Sequence, residues 1–169
     1  MVSAVQVEIW HCSHDVMLVY RVKPARTLTL PDHAPGRADD LWTTTCFELF
    51  AKEKGAAGYR EFNFAPAGAW AAYAFSDWRR GMLPLDLDRD PHIVDCRLDD
   101  RAGIYPASYE LDVLLGPGII EAGMKLALSA VIEETDGTKS YWALKHPPGK
   151  PDFHHPDCFA LELPALGTS

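Results

Sequence analysis

Eight short runs in which the side chains alternate between two faces, each closed by a turn residue, set the strongest limit on what this chain can fold into. Residues 16–22, 45–51, 59–64, 70–75, 108–114, 125–134, 140–146 and 158–163 follow the period of a strand and not that of a helix. The opening MVSAVQVEIWHCSHD reads as a further strand, because Gln6 and Glu8 interrupt its apolar run early and no basic segment precedes it. Gly55 with Gly58, Pro66-Ala67-Gly68 and Asp136-Gly137 separate the runs, the last as a hairpin signal. The 13 prolines, many of them in 31–35 and 147–156, suit long connections between strands, and only 116–121 and 76–81 admit a helical turn. The expected fold is all-β, with two packed sheets.

Composition removes whole classes of function. At 169 residues the chain fits a single domain spanning 1–169 and can bury a sizeable core. A formal net charge of −8 opposes the field that a nucleic acid or an anionic membrane surface requires, so neither is expected as a partner. Cys12, Cys46, Cys96 and Cys158 are far apart and form no CxxC pair, which points to free thiols in a reducing compartment. With no apolar stretch of membrane-spanning length and no leader, a cytoplasmic location is expected.

Splitting the strands by parity exposes a polar side. In 45–51 Phe47 and Leu49 share one face, and Cys46, Glu48 and Phe50 the other; in 59–64 Phe62 and Phe64 oppose Tyr59, Glu61 and Asn63. In 70–75 the aromatic Tyr73 and Phe75 are assigned with Ala71 to the core, leaving Trp70, Ala72 and Ala74 beside Glu48 and Asn63. Alanines beside a Trp would leave a shallow hollow, and a planar ring with carboxylate and amide groups is the chemistry that holds a sugar.

The run Leu41-Trp42-Thr43-Thr44-Thr45-Cys46-Phe47-Glu48-Leu49-Phe50, followed by Tyr59 through Pro66-Ala67-Gly68-Ala69-Trp70 and by Tyr109-Glu110-Leu111-Asp112-Val113, resembles the DOMON-like domains related to type 9 carbohydrate-binding modules. The resemblance spans about Val5 to Leu163. It implies a jelly-roll-like antiparallel β-sandwich that binds a sugar or another small ligand on a concave sheet face. The bacterial branch it looks most like includes copies associated with UDP-N-acetylenolpyruvoylglucosamine reductase, which hints at a sugar-nucleotide setting. Some DOMON relatives bind haem, but no attachment motif accompanies Met17, Met82, Met124 or His146, and no cofactor is expected. Type 9 modules hold their sugar between two tryptophans, for which Trp42, Trp70 and Trp142 are the candidates here.

The expected ligand site is Glu48, Asn63 and Trp70 with Trp42, rimmed by Arg79, His146 and Lys150. The Pro-rich stretch 146–158 carries three histidines, two aspartates, a Lys and a Cys, but lacks the spacing that fixes a metal geometry; it is expected to bend across the hollow with Lys150 paired to Asp152. The acidic run 86–91 fails as a calcium loop, because His92 stands where an EF-hand needs Gly and Arg97 where it needs Glu. No metal is expected. The leading function is noncatalytic binding of a carbohydrate or other small molecule. The alternatives are an enzyme pairing Glu48 or Glu61 with His146 as acid and base, and a protein-interaction module that buries a partner, or a second copy of itself as a homodimer, through Trp70 and Phe50.

Overall fold

The computed structural model describes residues 1–99 and 107–163. Among these residues there are strands at Ala4–Cys12 (β1), Asp15–Lys23 (β2), Gly36–Arg37 (β3), Cys46–Lys52 (β4), Tyr59–Phe64 (β5), Ala69–Phe75 (β6), Leu83–Pro84 (β7), His92–Asp99 (β8), Ser108–Leu115 (β9), Lys125–Glu133 (β10), Lys139–Ala143 (β11) and Leu161–Glu162 (β12). They form two sheets. One has the order β1-β2-β9-β8; the other runs β11-β10-β4-β5-β6-β3, with β12 beside β10 and β7 beside β6. The all-β sandwich expected from the alternation is what the chain forms, and none of its described helices is long and apolar enough to cross a membrane.

Between the sheets lies the larger core. Leu18, Tyr20 and Val22 from β2 and Tyr109, Leu111 and Val113 from β9 face Phe47, Leu49, Phe62 and Phe64 across the gap. All ten are nearly inaccessible, and each aromatic or aliphatic side chain so buried contributes roughly 1.5–3 kcal/mol relative to leaving it in water. Tyr20 is carried into this core with its hydroxyl donating to the Glu48 backbone carbonyl at 3.0 Å, so its polar end is satisfied.

The parity assigned to β6 is corrected by the turn before it. Ala65 N–H donates to Ala69 C=O at 2.8 Å and Gly68 N–H to Ala65 C=O at 3.1 Å, with Gly68 at φ +95°, which its missing Cβ makes accessible. This closure places Phe64 opposite Trp70, Phe62 opposite Ala72 and Tyr59 opposite Phe75. Residues directly opposed in an antiparallel pair share a face. Trp70 and Ala72 therefore point into the inter-sheet core, while Ala71, Tyr73 and Phe75 join Glu48, Glu61 and Asn63 on the other side.

That other side is not a solvated face. A second apolar cluster covers it, in which Phe50, Tyr59, Tyr73 and Phe75 meet Leu41 from the turn before β4 and Phe153, Cys158 and Phe159 from the segment between β11 and β12. The central strands of the larger sheet are thus buried on both faces, as their burial patterns show from Cys46 to Ala51 and from Phe62 to Phe64. The two helical turns lie at Leu41–Thr43 and Pro156–Cys158 instead of at 116–121 and 76–81. Pro156 presets the first dihedral and the His155 ring accepts from Asp157 N–H at 3.2 Å. In the expected places, Gly118 at φ +77° and Arg79 and Gly81 at φ +52° and +65° turn the chain out of a helix. The run expected at 140–146 ends at Ala143, and that expected at 158–163 shrinks to Leu161–Glu162 because Cys158 belongs to the turn.

Candidate functional site

Because β4, β5 and β10 are adjacent, their polar side chains on the covered face converge. Glu48 opposes Asn63 on one side and Ser129 on the other. The Ser129 hydroxyl donates to Glu48 Oε2 at 2.7 Å, and the Asn63 amide donates to Glu61 Oε1 at 2.8 Å. Glu48 is 3% exposed and Glu61 5%, yet among the described residues neither has a charged partner in direct contact. The second oxygen of each carboxyl, Glu48 Oε1 and Glu61 Oε2, takes no hydrogen bond from any described residue.

Both carboxyls line a cavity of about 440 Å³, within the range of small-ligand pockets. Its walls are Trp42, Phe75, Met82, Val131, Tyr141, Pro151 and Phe153, with Arg79, Asp152 and His154 at one side. Trp42, Met82 and Tyr141 remain substantially exposed around the mouth. Residues 151–154 of the Pro-rich stretch line the cavity, as expected of a loop bent across it, but the anchor differs from expectation: Asp152 pairs with Arg79 and not with Lys150. Asp152 Oδ1 accepts from Arg79 Nε at 3.0 Å and Nη2 at 2.7 Å, and Oδ2 from Trp78 Nε1 at 3.3 Å. Burial pushes the Asp152 carboxyl up, but the Arg79 hydrogen bonds and charge outweigh it and hold the group below its usual range. Arg79→Ala is expected to cost no more than roughly 1 kcal/mol, since the pair is partly solvated, but to accelerate amide exchange selectively across 150–155, read by mass spectrometry.

Burial sets the protonation of the site. Loss of hydration, reinforced by the neighbouring Glu61 charge and opposed by the Ser129 hydrogen bond, raises Glu48 to about 8. Glu61 is raised to about 6 by burial, with the Asn63 bond and the Arg79 charge holding it back. His154 is lowered to about 4, first by burial and then by Arg79, so it is neutral at physiological pH. Arg79 N–H donates to Tyr59 Oη at 3.2 Å, and Tyr59 Oη shares a hydrogen bond with His154 Nδ1 at 2.7 Å whose direction the imidazole tautomer sets. His154 Nε2 lies 3.8 Å from Glu61 Oε2, a polar contact and not an ion pair. At neutral pH the floor presents a protonated carboxyl beside a carboxylate, so it can both donate and accept.

Of the expected site residues, Glu48, Trp42 and Arg79 line this cavity. Asn63 lies behind it, fully buried, and acts by orienting Glu61. Trp70 is 4% exposed in the inter-sheet core with the Arg37 guanidinium 5.2 Å above its ring, so it belongs to packing and not to the site. Trp142 packs toward the same core, its indole donating to Ser140, and the two-tryptophan clamp is not made. His146 and Lys150 are exposed and lie off the cavity lining. His146 packs against Phe153 from outside that lining; the histidine that reaches the carboxyls is His154. Sequence reasoning put Glu61 on this face but gave it a role only in the enzyme alternative, and it missed Phe75, Tyr141, Phe153 and His154. The signal for His154 was its position between Phe153 and Phe159, two apolar anchors within a polar loop.

No protein-family model matches the chain, and no curated protein matches it. Among solved structures, it is similar to a protein from Bacteroides uniformis ATCC 8492 provisionally described as carbohydrate-binding, with a TM-score of 0.58 and 18% sequence identity over 91% of this chain and 75% of that one. At that identity what is shared is the fold: the chain is a two-sheet β-sandwich of the same kind as that structure.

Proposed function

We propose that the protein binds a small saccharide, noncatalytically, in the cavity between the larger sheet and the 150–159 segment. The observation that carries this reading is the floor: Glu48 and Glu61 are buried, each has one oxygen without a donor, and both open into a space walled by aromatic rings. A sugar offers the complement, hydroxyls for the carboxyls and an apolar C–H face for Trp42, Tyr141 or Phe153. The description of the Bacteroides structure as carbohydrate-binding supports the same reading, as does the sequence resemblance to DOMON-like domains and type 9 modules, the family in which we place the chain. Four free cysteines are consistent with a reducing, cytoplasmic setting.

The test is a panel of mono- and disaccharides, amino sugars included, screened by thermal shift and calorimetry. A true ligand at 100-fold excess over its Kd adds about 2.7 kcal/mol of stability. The gain is expected to vanish in Glu61→Ala and to persist in Lys150→Ala; no stabilisation by any saccharide would sink the proposal. One observation favours an enzymatic second reading: two carboxyls whose pKa values are pushed apart in one cavity is the arrangement used for general acid and base. Aryl glycosides in the same panel separate the two readings, since turnover and not retention of the intact glycoside would select the enzyme.

A further inference from the structure

We propose that the group seated between Glu48 and Glu61 is a protonated amine, so that the saccharide this site takes is an amino sugar. The inference rests on the carbohydrate reading above and deepens it. Two carboxyls taken out of water without a cation are costly to keep ionised, and a cationic ligand group is what repays that cost. No described residue places a cation in contact with them. Arg79, whose charge reaches both carboxyls, is committed to Asp152 through two nitrogens, and the neutral His154 ring stands 3.8 Å from Glu61. The unpartnered Glu48 Oε1 and Glu61 Oε2 are then ready to accept charge-assisted hydrogen bonds from an ammonium.

The lining as a whole has the same sign. At neutral pH its charged groups are Glu61 and Asp152 against the single guanidinium of Arg79, with Glu48 protonated beside them. A phosphorylated or nucleotide-linked sugar would meet more negative than positive charge, which makes it the poorer fit. The rings add to this preference, because a cation above an aromatic face is attracted to it. The internal cation–ring contacts among the described residues, Arg37 on Trp70 and Lys52 on Phe159, leave Trp42, Tyr141 and Phe153 without one. A metal ion is a weaker candidate, since no group of three His, Cys, Asp or Glu among the described residues is arranged to hold one.

The other titratable groups near the pair are Arg79 in the β6–β7 turn, Asp152 and His154 in the covering segment, Tyr59 behind His154, the buried Cys46 thiol of β4 and Tyr73 hydroxyl of β6, and Tyr20 reaching Glu48 from the inter-sheet side. Because Glu48 holds its proton at neutral pH in the empty site, seating an ammonium there should expel it.

Calorimetry of the full chain near neutral pH, in buffers that are not themselves amines, tests this with glucosamine, glucose, N-acetylglucosamine and cyclohexylamine. Glucosamine is expected to bind at least tenfold more tightly than glucose or the acetylated sugar. It should also release close to one proton per site, read from the dependence of the heat on buffer ionisation. Glu61→Gln should erase the tenfold preference, and the proton count in the unmodified protein decides the matter if that variant fails to fold. Equal binding of glucose and glucosamine overturns the amine while leaving the carbohydrate reading standing. Binding of cyclohexylamine without any sugar supports the amine and overturns the carbohydrate. Binding of none of the four overturns the amine inference.

Discussion

Between pH 6.5 and 8 the protein is expected to lose stability at roughly 1 kcal/mol per pH unit, and Glu48→Gln to abolish that slope. The sign follows from where the proton sits. In the unfolded chain Glu48 ionises near 4.5, whereas in the folded protein it keeps its proton up to about 8. Across that window the folded state binds the extra proton, so raising the pH favours unfolding; the full benefit is present below 4.5 and is gone above 8. Glu61, raised to about 6, has the same sign and acts below that pH. His154 has the opposite sign: it is neutral in the fold down to about 4 but charged in the unfolded chain below about 6.5, so it gains stability as pH rises to that point. The two effects offset each other below pH 6.5, which leaves Glu48 alone in control above it. A Gln there mimics the protonated carboxyl and still accepts from Ser129. Urea titrations of both proteins at pH 6.5 and 8 measure the difference, and parallel lines would show that Glu48 is not buried as described.

Trp70→Ala is expected to cost about 3–5 kcal/mol, the penalty for removing a large aromatic from a packed core. The folded fraction should nevertheless bind saccharide with unchanged affinity, since Trp70 is separated from the cavity by the thickness of the sheet. Trp42→Ala should do the reverse, changing stability little and weakening binding, because that ring is 37% exposed at the mouth. Denaturant midpoints and calorimetric Kd values for both variants check the pair. A loss of affinity in Trp70→Ala with stability intact would contradict the assignment of its face.

That contrast also marks where the sequence stops being readable. β5 has the bounds its alternation predicts, and the shared face of Glu48, Glu61 and Asn63 was visible because phenylalanines alternate with polar residues there. In β6 no polar residue breaks the tie. Both of its faces are apolar, so the periodicity is equally content with either, and only the length of the turn at 65–69 decides which way Trp70 points. β8 escaped notice because its alternation is broken by an irregularity between Ile93 and Asp95. The histidine at the site could not be chosen from three in one loop by type or spacing. It is selected by the burial of Phe153 and Phe159 on either side of it, a tertiary fact.

The double burial of the larger sheet has a consequence for how the molecule comes into being. Phe50, Tyr59 and Phe75 belong to the first half of the chain, while the side chains that shield them, Phe153 and Phe159, are among the last described residues to be made. A ribosome therefore presents this oily surface, with its two acidic groups, well before its cover exists. The nascent protein depends on the late arrival of the stretch carrying Phe153 and Phe159 to become closed, and a chain cut short before that stretch would offer the same surface to its neighbours as an invitation to aggregate.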